Sequence, residues 1–461
     1  MSGGVSGKEG DNRAKYTRGS IAGTMFKTAL TMLPATLAMS GYNMADTFFV
    51  GRLGGEAPLA AMGFTFPVIM LMNGVFFGLG TGIMATLAHA LGRQDSRQSS
   101  RLASSGVYLL ALCSLALAIA GKLFAHHLYA AMGASGETLH QTCLYMDIWF
   151  FGCITAALAM IGNKMLITVG IPKWASIMQV VGMLINVVLD PLMIFGIWPF
   201  PKMGIQGAAL ATVLSQAVCA IFNCLLLMKH GFLSFERFPL AEMFSCWRSI
   251  IRYAIPSMLG MFLFPIGQFI TTKITAEFGD VAVAGVSAGS KLDAVAFVFP
   301  MSLGITLMPM MAQNYGARLY SRVRDALRIS VKFSFIYLTI VGLLFILFAP
   351  LVVGYFTPEP DIQEKMKLYL RIAPLGFGCV EAMRFACFAI TACGHPKLDS
   401  LIKFIRVLVF QIPLALLGLW TMSLAVLLFS KVLAEALSCA VAMYFALRVV
   451  KSLPEDGEEV V

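Results

Sequence analysis

Long apolar runs recur along the chain, and each is long enough to form a membrane-spanning helix. The first run, IAGTMFKTALTMLPATLAMSGYNMADTFFV, contains Lys27 and Asp46 as its charged residues. A helix needs about 20 apolar residues to cross the hydrocarbon core of a bilayer. Twelve such runs are predicted, at residues 21–50, 57–89, 103–125, 143–169, 175–197, 207–229, 249–276, 282–311, 327–351, 366–393, 400–421 and 424–449.

The composition indicates the same class of protein. Hydrophobic residues make up 58% of the 461-residue chain and charged residues 13%, and the mean hydropathy is +0.80. These values exclude an ordinary soluble domain and predict an all-α polytopic membrane protein. The polar start of the chain leads directly into a full-length span, so we expect no cleavable signal peptide. The ten cysteines form no CxxC pair or Cys/His cluster, which argues against a disulfide framework or a zinc site.

The net charge of +10 is explained by basic residues in the loops. A nucleic-acid groove would concentrate such residues in one soluble domain, so no nucleic-acid partner is expected. The loops on one side of the spans are the most basic, and the positive-inside rule then places both termini in the cytoplasm. These basic residues include Arg93, Arg97, Arg101, Lys229, Arg237, Arg248, Arg252, Arg318, Arg322, Arg324 and Arg328.

An internal repeat appears when the chain is aligned with itself so that Leu79 is paired with Leu303. LGTGIMATLAHALGR (79–93) then aligns with LGITLMPMMAQNYGA (303–317), and the same offset aligns GIPKWAS (170–176) with GHPKLDS (394–400). An offset of six spans preserves orientation, so we predict two parallel six-helix lobes, an architecture typical of alternating-access transporters. The predicted divisions are a cytoplasmic tail (1–20), the first lobe (21–229), a cytoplasmic linker (230–248), the second lobe (249–449) and a cytoplasmic tail (450–461).

Two acidic residues fall inside spans of the first lobe. A carboxylate at the bilayer centre costs about 2.5–3.5 kcal/mol, and intramembrane acids usually line ion pathways. Asn186 and Asp190 are four residues apart and therefore share one helix face, as do Tyr42 and Asp46. The two acids could exchange a proton or hold a small hard cation through oxygen ligands. Asn163 and Thr212 could supply further oxygens, although such residues often serve only as contacts between helices.

Several segments resemble the multidrug and toxic compound extrusion (MATE) family. They are YNMADTFFVGRLG, INVVLDP, GIQGAALATVLSQ and the paired G-x-P-K turns, and the resemblance extends over essentially the whole chain. It implies an antiporter in the inner membrane of a bacterium that exports small amphipathic, often cationic compounds in exchange for H⁺ or Na⁺. We expect a monomer without a cofactor. The family's coupling site corresponds to Asp46, Asn186, Asp190 and Thr212, which would also hold any Na⁺, with Tyr42 and Asn163 as neighbours.

The seventh span departs from the NorM-type branch of that family. Where that branch usually carries a glutamate, IPSMLGMFLFPIG has no acid, and Phe264 lies at about the corresponding place. The resemblance is therefore more DinF-like than NorM-like, which implies coupling through the first lobe.

The second lobe contains its own charged residues. Two interpretations remain open: a compensated polar network that stabilises the lobe, or a pocket for a substrate that is not simply a cation. The spacing favours intrahelical pairs between Glu381 and Arg384 and between Lys431 and Glu435. The charged residues in or near these spans are Lys291, Asp293, Glu381, Arg384, Arg406, Lys431 and Glu435.

Two functions other than multidrug antiport remain open. A lipid-intermediate flippase, or an exporter of one specific endogenous metabolite, could use the same scaffold. A membrane enzyme would need a metal-ligand motif, a nucleophile elbow or a phosphate-binding loop, and the sequence contains none of these.

Overall fold

The computed structural model describes residues 14–54, 57–234 and 239–458, and within helix α1 it leaves the side chains of residues 40–47 undescribed. This part of the chain is all helix and turn, without a strand. Its long helices are α1 (Ile21–Gly51), α2 (Ala57–Gly92), α3 (Ser96–Ala131), α4 (Gly136–Thr168), α5 (Pro172–Phe195), α6 (Ile205–Lys229), α7 (Leu240–Ala276), α8 (Asp280–Gly316), α9 (Tyr320–Phe356), α10 (Pro360–Ala392), α11 (Pro396–Trp420) and α12 (Leu424–Lys451).

The helices correspond one to one with the predicted spans, so the predicted all-α membrane fold is confirmed. The eleven helices from α2 to α12 are long and apolar enough to cross a membrane, and α1 has 31 residues. The longest have 37 residues, or about 55 Å at 1.5 Å per residue. A bilayer core is about 30 Å thick, so such helices must tilt or extend beyond the hydrocarbon.

The internal repeat is visible in the turns. Gly170 (φ +78°) and Gly394 (φ +90°), which the repeat aligns, both adopt the left-handed conformation, and the proline two residues later begins α5 and α11. Glycine is favoured there because a side chain makes positive φ costly. Gln94 and Arg318, a second aligned pair, both have φ +59° between α2 and α3 and between α8 and α9.

The chain divides into two compact units. The first unit comprises Met1–Lys15 and Leu30–Ile255, and the second comprises Tyr16–Ala29 and Pro256–Val461. This division differs from the boundaries predicted at 21, 229 and 249. The start of α1 belongs to the second unit, and the start of α7 belongs to the first.

Hydrogen bonds explain why the start of α1 belongs to the second unit. The backbone N–H of Tyr16 donates to Gln313 Oε1 (3.1 Å), and Asn314 Nδ2 donates to the Tyr16 carbonyl (3.1 Å). Further along, the hydroxyls of Thr28 and Thr306 lie 3.1 Å apart. These contacts are buried, where an intact hydrogen bond is most valuable.

The start of α7 is held in the first unit by an equivalent set of contacts. Trp247 Nε1 donates to the Ser105 carbonyl (2.9 Å), and Arg101 forms an ion pair with Glu242. A Cβ at Gly82 would overlap the Ile250 carbonyl oxygen, so only glycine permits α7 to approach α2 this closely. Hydropathy alone does not reveal these contacts, because they depend on individual side chains at the helix ends.

Candidate functional site

The first candidate site lies where α5 and α6 pack closely together. A Cβ at Gly207 on α6 would lie 2.6 Å from the carbonyl of Met193 on α5. A Cβ at Gly182 on α5 would likewise lie 2.7 Å from Cys219 Sγ on α6. Small residues allow membrane helices to approach in this way. The close packing brings polar side chains of the two helices within hydrogen-bonding distance.

Three of the residues predicted for ion coupling meet at this contact. Asn186 Nδ2 donates to Asp190 Oδ1 (3.2 Å) and, at 3.5 Å, to Thr212 Oγ1. Asn186 and Asp190 are completely buried, and Thr212 is 8% exposed. The four-residue spacing places Asn186 and Asp190 on one face of α5, as predicted. The structure therefore brings a carboxylate, an amide and a hydroxyl together inside the first unit.

The chemistry of this cluster suits a small hard cation or a proton. Asn186 Oδ1 is buried and accepts no hydrogen bond from the described residues. A buried carbonyl oxygen without a donor is costly, unless it binds something else. Carboxylate, amide and hydroxyl oxygens are the ligands that hard cations prefer. Among the described residues, no group of three or more His, Cys, Asp or Glu residues could hold a metal ion.

Asp46 and Tyr42 are predicted to belong to the same site. Both belong to α1, which extends from Ile21 to Gly51. Their side chains lie outside the described residues. Their assignment to the site stays a prediction.

Asn163 has a different partner. Its Nδ2 donates to Gln179 Oε1 on α5 at 2.9 Å. Gln179 lies two helical turns before Asn186, about 10 Å away along α5. This hydrogen bond thus fixes Asn163 to α5, and its place in the coupling pocket stays a prediction.

Lys164 is a further charged residue of the first unit, outside the predicted coupling site. It lies in α4, within the apolar stretch AMIGNKMLIT, and it is half-buried. Its Nζ lies 3.3 Å from the Phe77 carbonyl oxygen and 3.8 Å from the centre of the Phe77 ring, both on α2. A lone lysine inside an apolar run is the sequence signal that could have identified it.

The second unit contains a cavity of about 210 Å³. Its walls combine aromatic rings with charged and amide side chains, the composition expected of a small-molecule site. Arg406 and Gln411 come from a π-helical segment of α11, Ile405–Gln411, and such segments are frequent at functional sites. The aromatic and polar lining residues are Phe264, Phe297, Tyr369, Phe377, Gln268, Gln411, Asp293, Arg406, Lys431 and Glu435.

The charged groups of this cavity form two contacts between helices. The Tyr369 hydroxyl donates to Asp293 Oδ2 (2.6 Å), and Arg406 Nη2 lies 2.6 Å from Glu435 Oε1. The predicted pair of Lys431 with Glu435 is wrong, because Glu435 pairs with Arg406 instead. Lys431 Nζ lies 5.6 Å from the centre of the Tyr369 ring, a cation–π distance.

These contacts leave hydrogen-bonding capacity in the cavity. Asp293 Oδ1, Arg406 Nε and Glu435 Oε2 are buried without a hydrogen-bond partner among the described residues. A donor and two acceptors are thus available beside the aromatic walls. A ligand with both kinds of polar group would satisfy them.

The predicted pair of Glu381 and Arg384 does form. Arg384 Nη2 contacts Glu381 Oε1, and the same nitrogen lies 3.1 Å from the Pro300 carbonyl oxygen. Glu381 is 1% exposed. Neither residue lines the cavity, and Lys291 is exposed. The seven charged residues therefore do not form a single network.

The long apolar helices, eleven of which could cross a membrane among the described residues, and the internal repeat define a multi-pass membrane protein. The sequence model of the MatE family matches residues 32–192 and 256–417, two segments that begin at positions aligned by the repeat. These segments cover more than half of the chain. The chain belongs to the MatE family of transporters.

Individual relatives agree with this assignment. The chain is 30% identical over 430 residues to a protein named FAD transporter from Shewanella oneidensis, across 93% of this chain and 95% of the relative. It is 24% identical to the multidrug export protein MepA of Staphylococcus aureus, across 77% of this chain and 78% of MepA. A crystal structure of the Vibrio cholerae MATE transporter VcmN has the same fold, with a TM-score of 0.87, 23% identity, and coverage of 96% of this chain and 98% of VcmN.

Proposed function

We propose that the protein is a secondary active antiporter that exports small amphipathic compounds in exchange for H⁺ or Na⁺. The observation that carries this proposal is the buried cluster of Asn186, Asp190 and Thr212. Asp46 is assigned to the same site on the family resemblance. A buried carboxylate is costly in a membrane, and the cost is understandable where an ion is bound and released.

Ion binding at this cluster changes its net charge, and this change would couple movement of the ion to movement of the substrate. A bound proton or sodium ion neutralises the carboxylate, so the loaded and empty forms of the first unit differ by one charge. Two conformations that solvate the site differently respond to that charge with a shift in population. The ion gradient would then drive the cycle in the direction of export.

Reconstitution in liposomes tests the coupling ion. Purified protein is placed in proteoliposomes loaded with ethidium, and a proton gradient and a sodium gradient are imposed separately. We expect one gradient to accelerate ethidium efflux and the other to have little effect. Efflux that responds to neither gradient, in protein that binds the dye, would contradict the antiport mechanism.

We assign substrate binding to the cavity of the second unit. Its aromatic side chains, such as Phe297 and Tyr369, can stack on a planar ring. Arg406 and Lys431 could receive negative groups of a substrate, and Asp293 and Glu435 could receive hydrogen-bond donors or positive groups. This mixture supports a substrate class broader than amphipathic cations.

A flavin nucleotide is a second candidate substrate. The relative named FAD transporter supports it, and so does the combination of aromatic and cationic residues in the cavity. The volume of about 210 Å³ is below the roughly 300–1,000 Å³ of drug-sized pockets, so the cavity would hold one ring system. Efflux of FAD and of ethidium, compared in the same proteoliposomes, distinguishes the two classes of substrate.

We also propose that both termini face the cytoplasm of a bacterial cell and that the protein lies in the inner membrane. The basic loops support this orientation. Single cysteines replacing Arg97 and Lys202, in a cysteine-free background, test it with an impermeant reagent added outside intact cells. We expect labelling at position 202 and protection at position 97, and the reverse pattern would invert the topology.

A further inference from the structure

Lys164 lies in a recess that the sequence provides for it. A Cβ at Gly80 on α2 would lie 2.9 Å from Lys164 Cδ and 3.1 Å from its Nζ. The missing side chain at Gly80 therefore lets the lysine lie along α2. Its ammonium then lies 3.8 Å from the centre of the Phe77 ring and 3.3 Å from the Phe77 carbonyl oxygen.

These contacts use little of the hydrogen-bonding capacity of the ammonium group. The Phe77 carbonyl also accepts from Thr81 Oγ1 at 2.9 Å, and it accepts the helical N–H of Thr81. A lysine ammonium has three N–H donors. Among the described side chains, Lys164 forms no ion pair with a carboxylate, so two donors remain available.

The repeat places a second cation beside the matched glycine of the second unit. Gly304 aligns with Gly80, and a Cβ there would lie 3.1 Å from Arg384 Nη2. Arg384 donates to the Pro300 carbonyl and pairs with Glu381. The residue that aligns with Glu381 in the first unit is Ala157. In the second unit, Glu381 therefore neutralises Arg384. In the first unit, the position that matches Glu381 is an alanine, so it supplies no carboxylate to Lys164.

A cation inside a membrane protein usually serves a function when its charge is not neutralised internally. Lys164 is half-buried, so part of its side chain lies at the protein surface. Asn73 is exposed on α2, four residues before Phe77 and therefore on the same helix face. Its amide can add a donor to those of the lysine. The arrangement suits a ligand with several acceptor oxygens and a negative charge.

We propose that Lys164, together with Asn73, forms an anion-binding site of the first unit, in addition to the cavity of the second unit, and binds there the carboxylate or phosphate of a transported solute. This inference rests on the proposed transport function and adds solutes that carry an oxyanion to its substrate class. Phe77 beside the ammonium offers an apolar surface for the remainder of the solute. The alternative is a lysine that only covers apolar surface with its stem and extends its amine towards water.

Equilibrium binding in detergent separates the two alternatives, and it requires no ion gradient. The probes are two pairs that differ in one anionic group: flavin mononucleotide and riboflavin, and rhodamine B and its ethyl ester. Each is titrated with the wild type and with Lys164→Met, Lys164→Arg and Lys173→Met. The last variant removes an exposed lysine at the start of α5 and serves as the matched control.

We expect Lys164→Met to weaken binding of the anionic member of a pair about 10- to 100-fold, the usual value of a charged hydrogen bond. The neutral or esterified member should change less than about threefold, and Lys164→Arg should keep most of the anion preference. Equal losses for both members of each pair, or no loss, would overturn the proposal. If Lys164→Met does not fold, equal wild-type affinity for flavin mononucleotide and riboflavin would overturn it instead.

A lipid headgroup carries the same chemistry as the proposed ligand. Phosphatidylglycerol is therefore added as a competitor for flavin mononucleotide. The proposal would be overturned if the lipid displaces flavin mononucleotide and the wild type shows no preference for the anionic solutes. Lys164 would then be a binding site for a lipid headgroup. The coupling mechanism is tested separately, because Asp190→Asn should keep the binding preference while it loses gradient-driven efflux.

Discussion

The two units share two turn conformations and one matched pair of helix-packing glycines, Gly80 and Gly304, yet their charged residues differ. Asn186 and Asp190 of the first unit align, by the internal repeat, with Phe410 and Leu414 of the second. The candidate coupling site is therefore not duplicated. The second unit instead carries acidic and basic side chains on several helices. Most of these side chains form an ion pair or a hydrogen bond with another side chain of the same unit.

This comparison of the two units shows which residues are restricted by the shared fold and which are free to differ. A left-handed turn, such as those at Gly170 and Gly394, restricts the residue through its backbone conformation. A close helix contact restricts it through space, as at Gly80 and Gly304. A polar position on a helix face has neither restriction, so the two units could acquire different chemistry on the same backbone.

The largest expected effect concerns the unit that holds the coupling cluster. Asp190→Asn keeps the shape of the side chain and its contact with Asn186 but cannot ionise. We expect normal expression and folding, with gradient-driven ethidium efflux reduced to the background of empty liposomes. Asp46→Asn should behave in the same way. The measurement is the efflux rate in proteoliposomes under the active gradient.

Asp147→Asn is the matched control for this prediction. Its carboxylate pairs with Lys122 at 2.5 Å, and both side chains are substantially exposed. Exposed ion pairs contribute little stability, so efflux should stay close to the wild-type rate. Wild-type efflux by a well-folded Asp190→Asn variant would show that the buried acid is structural.

The coupling cluster also shows how far sequence reasoning extends. Asn186 and Asp190 share a helix, and their four-residue spacing was enough to predict that they meet. The partner of Glu435 could not be predicted in this way, because Arg406 lies 29 positions away on another helix. Spacing alone favoured Lys431, which the packing directs towards Tyr369.

Hydropathy alone also could not predict where the two units begin and end along the chain. Apolar runs gave the twelve spans because each span must satisfy its own backbone in lipid. They could not show that the start of α1 belongs with the second unit, since that grouping depends on side chains such as Gln313 and Asn314. Lys164 is visible in the sequence as a lone lysine in an apolar run, but its contacts could not be predicted, because they depend on the absence of a side chain at Gly80.

The ion pair of the second unit gives the next largest effect. Arg384→Met should leave the buried Glu381 carboxylate without its cation, at a cost of about 3 kcal/mol. This is the lower end of the range for buried pairs, because the Arg384 side chain is 32% exposed. The double variant with Glu381→Gln should be less destabilised than Arg384→Met alone. Thermal unfolding of the purified variants measures the difference.

The outcome for this pair decides between the two interpretations of the second unit's charges. A double variant that is more stable than the single variant and still transports supports a structural pair. A double variant that folds well but no longer transports any solute would contradict that interpretation and give the pair a role in the transport cycle.

The matched glycines provide a smaller and more direct test of the comparison. Gly304→Ala would crowd Arg384 together with the rings of Phe385 and Phe388, at 3.1–3.3 Å from the new Cβ. Crowding of a packed site costs about 1–3 kcal/mol. Gly80→Ala would mainly displace the flexible Lys164, so its stability should fall by less than about 1 kcal/mol.

The two glycine variants should therefore separate by different measurements. Gly304→Ala should lower the midpoint of thermal unfolding more than Gly80→Ala does. Gly80→Ala should instead weaken flavin mononucleotide binding several-fold, because it displaces the Lys164 ammonium. Equal thermal shifts in both variants, with unchanged ligand binding, would show that the matched glycines have the same purely structural role.

The smallest expected effect concerns Thr212, the neutral member of the coupling cluster. Thr212→Val keeps the shape of the side chain and removes the oxygen that lies 3.5 Å from Asn186 Nδ2. One such contact is worth about 0.5–1.5 kcal/mol, so ion affinity should fall by about 2- to 12-fold. If Na⁺ is the coupling ion, added NaCl should stabilise the wild type against thermal unfolding, and the variant should need correspondingly more salt. If a proton is the coupling ion, NaCl and matched KCl should act alike on both proteins, while the pH dependence of efflux shifts in the variant.

Thr142→Val is the control, because its hydroxyl bonds only to Thr138 within α4, among the described contacts. An unchanged ion response in Thr212→Val would remove the hydroxyl from the site and leave Asn186 and Asp190 as its ligands.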